Sequence, residues 1–192
     1  MIAKKLINTH FFQCSIYYTR ANLREALIDL LQHTTYALVN VTDIAKQAGV
    51  NRVTFYNHYS SKDELIEEIL ELLIEEYVAL INKYEPAELE LFIQLNYTHY
   101  DQHAKGYKLL LSEEFPEYKK IYIEHLQQSI RSILMKMRRN PNINDENYNF
   151  LIEWNVGGTL QTIHNYLKEE TRPSPEILSQ RVIWMTSSMF LD

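Results

Sequence analysis

Apolar residues recur three or four positions apart along most of the chain, the spacing of helices that bury one face. Ile66, Leu70, Leu73, Tyr77, Leu80, Ile81 and Tyr84 keep that step without interruption. Ser61 with Glu64 three residues on forms a capping box that opens this helix, and Pro86 closes it. Further helices are predicted from about Ala87 to His103, around Tyr107 to Leu111, from Pro116 through Arg139, near Asp145 to Glu169 and near Pro175 to Leu191. Pro141 with its polar neighbours, and Thr171-Arg172-Pro173-Ser174, mark the later loops. No alternating strand pattern competes and no repeat is evident, so the predicted fold is all-α with about nine helices. A three-helix head over 19–62 is expected to precede a larger helical bundle over 63–192.

The head contains the most informative stretch, Val41 through Lys62. Thr42 is the expected N-cap of a short helix with Asp43 in its first turn and Ile44, Ala45 and Ala48 facing inward. Gly49 ends it at a turn expected to need positive φ, and small Ala45 lets a second helix cross closely. Val50, Phe55 and Tyr59 supply that second helix's buried side, leaving Asn51, Arg52, Thr54, Asn57 and His58 outward. Two short helices meeting at a glycine, the second with a polar outer face, read as a helix-turn-helix.

The run Ile44-Ala45, Ala48-Gly49-Val50, Thr54-Phe55-Tyr56, His58-Tyr59 and Lys62, with the upstream helix Leu23 to Leu31, resembles the N-terminal domain of the TetR family of transcriptional regulators. The resemblance covers about a quarter of the chain. The later helices resemble the family in number, length and order. The Asn51-Arg52-x-Thr54-Phe55-Tyr56 recognition helix before a short tyrosine-rich body also resembles a subgroup that regulates dihydroxyacetone kinase operons.

Charge agrees independently. Up to Lys62 the chain carries seven Lys and Arg against three acids, whereas the remainder holds twelve against twenty-two, within a net charge of −6. A basic head and an acidic body suit a protein that presents one end to a polyanion. Arg52, Thr54 and Asn57 are the candidate base readers: Arg52 suits a guanine edge, Asn57 adenine, and Thr54 a thymine methyl or a phosphate. Tyr56, His58 and Lys62 are the candidate phosphate contacts, with Thr42 added by the family pattern. Packing within the head is the competing role for Tyr56. Residues 1–18 read either as an arm touching DNA through Lys4 and Lys5 or as an extension of the first helix packed by Phe11 and Phe12.

Four glycines, Gly49, Gly106, Gly157 and Gly158, are too few and too scattered for a phosphate-cradling loop. The single Cys14 cannot form an intrachain disulfide, which with no convincing signal peptide points to the cytoplasm. No apolar run is long enough to span a membrane. No motif couples a nucleophile to a base, so an enzyme is not expected.

In the last helix pair, Trp154, Gly157, Gly158 and Gln161 share one face, and Ile177 and Trp184 lie on the next helix. Paired glycines cost helix stability unless another backbone packs against them, within the subunit or from a partner. A homodimer is expected here, because a helix-turn-helix reads two half-sites of a palindromic operator in duplex DNA. The resemblance implies the same interface. Phe92, Tyr97, Tyr100, Tyr107, Trp154 and His164 are the candidate pocket residues. His99 and His103 stand at i and i+4, a metal-ligand spacing, but without a third ligand in view no metal or other cofactor is expected. The functional expectation is a homodimeric repressor released from its operator by an effector in the body. The alternative is an activator whose body binds a partner protein.

Overall fold

The computed structural model describes residues 2–83, 89–137, 145–168 and 172–190, and among these the side chains of 16–83, 90–133, 135, 146–168 and 172–185. They separate into two compact units, Met1–Glu71 and Leu72–Asp192, divided within one helix. All regular structure among the described residues is helical, and no helix there is long and apolar enough to cross a membrane.

The first unit comprises α1 (Ile2–Leu30), a 3-10 turn (Tyr36–Leu38), α2 (Val41–Gln47), α3 (Arg52–Tyr56) and the start of α4 (Lys62–Lys83). The backbone of α1 is continuous from Ile2, the helix extension among the two readings of residues 1–18. α1 packs on α2 and α2 on α3. Leu23, Leu27, Ile44, Phe55, Leu65 and Leu70 are fully buried between them, each worth about 1.5–3 kcal/mol of transfer free energy.

A charged cluster ties α1 to α4. Arg20 and Arg24 both donate to Glu68, Arg24 at 2.5 Å, and the Tyr59 hydroxyl donates to the same carboxylate at 3.2 Å. Partial burial works against the Glu68 charge, yet the two guanidiniums hold its carboxyl below the usual range. α4 opens as the Ser61–Glu64 pattern predicts, with the Glu64 amide donating to Ser61 Oγ at 3.2 Å. The return contact differs: Glu64 accepts from the amide and hydroxyl of Ser60, one residue earlier.

The second unit holds the rest of α4, α5 (Leu89–Gln102), α6 (Ala104–Leu110), α7 (Pro116–Met137), α8 (Asp145–Lys168) and α9 (Pro175–Phe190). α9 packs on α5, α8 on α7, and α6 on α5 and α8. Its centre is aromatic. Tyr77, Tyr100, Tyr107 and Tyr122 are buried with ring centroids 4.8–6.2 Å apart, and the Tyr122 hydroxyl donates to that of Tyr100 at 3.0 Å. α6 begins at Ala104, a turn before the expected start near Tyr107, directly after the break at His103. The expected helix ends at Ala87, Arg139, Glu169 and Leu191, and the breaks at Pro86 and Pro141, lie outside the described residues.

Candidate nucleic-acid interface

The turn between α2 and α3 is closed by its own backbone. The Gly49 amide donates to the Lys46 carbonyl at 3.2 Å and the Val50 amide to the Ala45 carbonyl at 2.9 Å, the pair of bonds that ends a helix with a left-handed residue. Gly49 has φ +70°, the sole positive φ among the described residues. A Cβ there would meet nothing within 4 Å, so the backbone conformation itself asks for glycine.

Asparagines cap both helices. Asn40 Oδ1 accepts from the amides of Thr42 and Asp43 at 2.9 and 3.1 Å, and Asp43 returns the contact to the Asn40 amide. Thr42 is therefore inside α2, not its cap as expected; Asn40 wins because its amide oxygen reaches two free N–H groups at once. At α3, Asn51 Oδ1 accepts from the Thr54 amide at 2.7 Å and the Thr54 hydroxyl at 3.1 Å. Asn51, expected to face outward with the reading residues, thus has a local partner. So has the Thr54 hydroxyl, which leaves its methyl for a base edge.

Phe55 and Tyr59 anchor α3, with rings 5.8 Å apart and both buried. Arg52, Val53, Tyr56 and Asn57 are exposed, and His58 is half-buried. Arg52 donates to the Tyr56 hydroxyl at 3.2 Å and lies over that ring. Thr42, Arg52, Tyr56, Ser60 and Lys62 line one open groove, to which Thr54, Asn57 and His58 do not contribute.

Lys62, the remaining residue expected at phosphates, lies in that groove and is held by the head itself. Its ammonium donates to the carbonyls of Tyr36 and Val39 at 2.7 and 2.8 Å and sits over the Tyr36 ring, pinning the 3-10 turn to the start of α4. Val53 was missed. It is 69% exposed on α3, and an apolar side chain in that place suits a thymine methyl. The signal available in sequence was its place between Arg52 and Thr54, but Val50 and Phe55 already filled the apolar face.

Residues 23–69 match the family model described as bacterial regulatory proteins, tetR family. Over those residues the chain is similar to that family. Over 54 residues the chain is 35% identical to an uncharacterized HTH-type transcriptional regulator, YxbF, of Bacillus subtilis (strain 168), covering 28% of this chain and 14% of that protein. Over 112 residues it is 27% identical to DhaS, an HTH-type dhaKLM operon transcriptional activator of Lactococcus lactis subsp. lactis (strain IL1403), covering 58% and 60% of the two chains. The chain therefore spans less than two thirds of the length of either curated relative. A solved structure of DhaS superposes with TM-score 0.64 at 18% identity, over 90% of this chain and 96% of that one. A transcriptional regulator from Aquifex aeolicus VF5 gives TM-score 0.68 at 24% identity, over 90% and 99%. Both structural likenesses extend the TetR-type fold across the second unit.

That second unit separates the residues expected to line a pocket. Phe92, Tyr97 and Tyr100 border an apolar cavity of about 110 Å³, together with Tyr77, Asn96 and Val182. Tyr107 is buried in the tyrosine core away from it, and Trp154 and His164 are exposed. The reason is helical phase: Val156, Ile163 and Leu167 take the inward side of α8 and turn Trp154 and His164 out.

Trp154, Gly157, Gly158 and Gln161 form an exposed band on α8, continued by Phe150. Ile177, Trp184 and Met185 are exposed on α9, with Trp184 at 72%. A Cβ on either Gly157 or Gly158 would meet nothing within 4 Å among the described residues, so packing against those residues does not explain the pair.

Proposed function

We propose that this chain is a homodimeric, sequence-specific DNA-binding transcriptional regulator that reads a palindromic operator with α3. The observation that carries the reading is the exposed Arg52, Val53 and Asn57 surface on a helix capped by Asn51 and joined by a glycine turn to the Asn40-capped α2. Arg52 is the guanine reader, Val53 and the Thr54 methyl face thymine, and Asn57 pairs with adenine. Thr42, Tyr56 and His58 hold phosphates. Trp154, Gly157, Gly158, Gln161, Ile177 and Trp184 form the dimer face, whose exposed indoles and bare glycine backbone suit a second copy better than water.

Control belongs to the second unit. In the effector-released repressor, a ligand in the body alters the fit of two heads to grooves about 34 Å apart. The cavity bordered by Phe92, Tyr97 and Tyr100, at about 110 Å³, is by itself well below the roughly 300–1,000 Å³ of sites that enclose a drug-sized ligand. A tyrosine-filled interior and the likeness to DhaS, named as an activator, favour the other reading, an activator whose body engages a partner protein.

Selection of bound duplexes from a random library tests both levels. A palindromic consensus supports the DNA reading, and a collection with no shared motif overturns it. Repeating the selection with cell extract separates the modes of control: a factor lost on protease treatment supports the partner, and a dialysable one supports the small effector.

A further inference from the structure

Across α4, α5 and the α5–α6 break, Glu76, His99 and His103 converge so that one donor atom from each lies within 4.8 Å of the others. His103 Nε2 is 3.5 Å from Glu76 Oε2, and the two imidazole rings are 4.6 Å apart. The contact between Glu76 and His103 accounts for only part of this. Among the described residues, His99 Nε2 is buried with no hydrogen-bond partner, and so is the hydroxyl of Tyr107, whose ring stands edge-on to His99 at 5.6 Å. A buried unsatisfied polar atom costs about 1–3 kcal/mol, so two beside one cluster call for a species that the described residues do not supply.

We propose that Glu76, His99 and His103 form a binding site for a divalent first-row transition metal, zinc above all. Two imidazoles and one carboxylate are the ligand set of open zinc sites, whereas magnesium and calcium select oxygen. A tetrahedral zinc with bonds of about 2.0–2.1 Å sets its ligands roughly 3.3 Å apart, close to the His103–Glu76 separation and within a small side-chain adjustment of the rest.

The backbone supports the same geometry. His103 occupies the N-cap position of α6 but makes no capping bond, which leaves its ring for Glu76. Gly106, one turn on, comes so near α4 that a Cβ would lie 3.3 Å from Leu73, holding α6 against the helix that carries Glu76. Glu76 and His103 are partly exposed, giving the ion a path from solvent and room for a water in the fourth position.

The test uses the full chain without an affinity tag, stripped of metal and titrated with cobalt(II). Tetrahedral d–d absorption saturating at one ion per chain and displaced by zinc is expected. His103→Gln and Glu76→Gln should each weaken zinc at least about tenfold against a chromophoric chelator, while His164→Gln, at an exposed histidine outside the cluster, should not. Helical circular dichroism checks that the variants remain folded. Absence of tetrahedral absorption, or zinc affinity unchanged in both cluster variants, overturns the site. Metal binding is read without DNA, so either outcome is independent of the operator selection.

Discussion

The Arg52 guanidinium donates to the Tyr56 hydroxyl at 3.2 Å, one turn along α3, and lies 5.4 Å from the centre of that ring. The contact holds a long cation along the exposed side of the recognition helix. It reduces the rotamer freedom that Arg52 would otherwise lose on meeting a base, so part of the ordering cost is met before DNA arrives.

Arg52→Ala should therefore cost about 1–3 kcal/mol of specific affinity and relax the preference at one base position. Fluorescence anisotropy with operator and single-base variants measures it. Tyr56→Phe keeps the ring but removes the hydroxyl, and should weaken all sequences alike while leaving the salt dependence, which counts cationic contacts, unchanged. Equal losses on operator and random DNA for Arg52→Ala would contradict its reading role.

Gly49→Ala places a side chain at φ +70° with open space around it. The expected loss is the left-handed backbone penalty alone, about 1–2 kcal/mol. Urea unfolding followed by helical circular dichroism checks this, and a near-zero effect would show that the turn relaxes.

Asn51→Ala removes the cap of α3 and should destabilise the head by about 0.5–2 kcal/mol, whereas Asn51→Asp keeps the acceptor. If both bind operator equally poorly while remaining equally stable, Asn51 reads DNA instead of capping.

Glu68 contributes acid sensitivity to the first unit. Its folded pKa lies below the unfolded value of about 4.3, so its contribution is present above that pH and is lost as pH falls through the lower folded value. Thermal melting between about pH 6 and pH 3 should show a steeper fall for the native chain than for Glu68→Gln, which begins less stable at neutral pH.

Trp184→Glu should leave the subunit folded, since its side chain is 72% exposed, and shift sedimentation from dimer to monomer with loss of operator binding. A variant that stays dimeric would move the interface elsewhere.

Most of the helices were legible because their apolar positions repeat at 3.6-residue spacing and their ends carry prolines, glycine and side-chain caps, all local properties. The turn glycine was read from Gly49 itself, and the outward positions of Arg52 and Asn57 followed once Phe55 was assigned inward. Charge counting was less informative than it looked. Of the seven basic residues in the head, Arg20 and Arg24 serve Glu68 and Lys62 serves two carbonyls, leaving Lys46 and Arg52 exposed among those whose side chains are described.

What the sequence by itself determined is the local grammar: helix class, turn chemistry and the face of α3 that meets solvent. Tertiary packing alone decided that Asn40 caps α2, that Trp154 and His164 leave the pocket, and that Glu76 joins two histidines more than twenty residues away. Caps and periodicity act between neighbours along the chain, whereas a third ligand, a pinned ammonium or a filled cavity depends on which helices pack together, and no short window of residues contains that information.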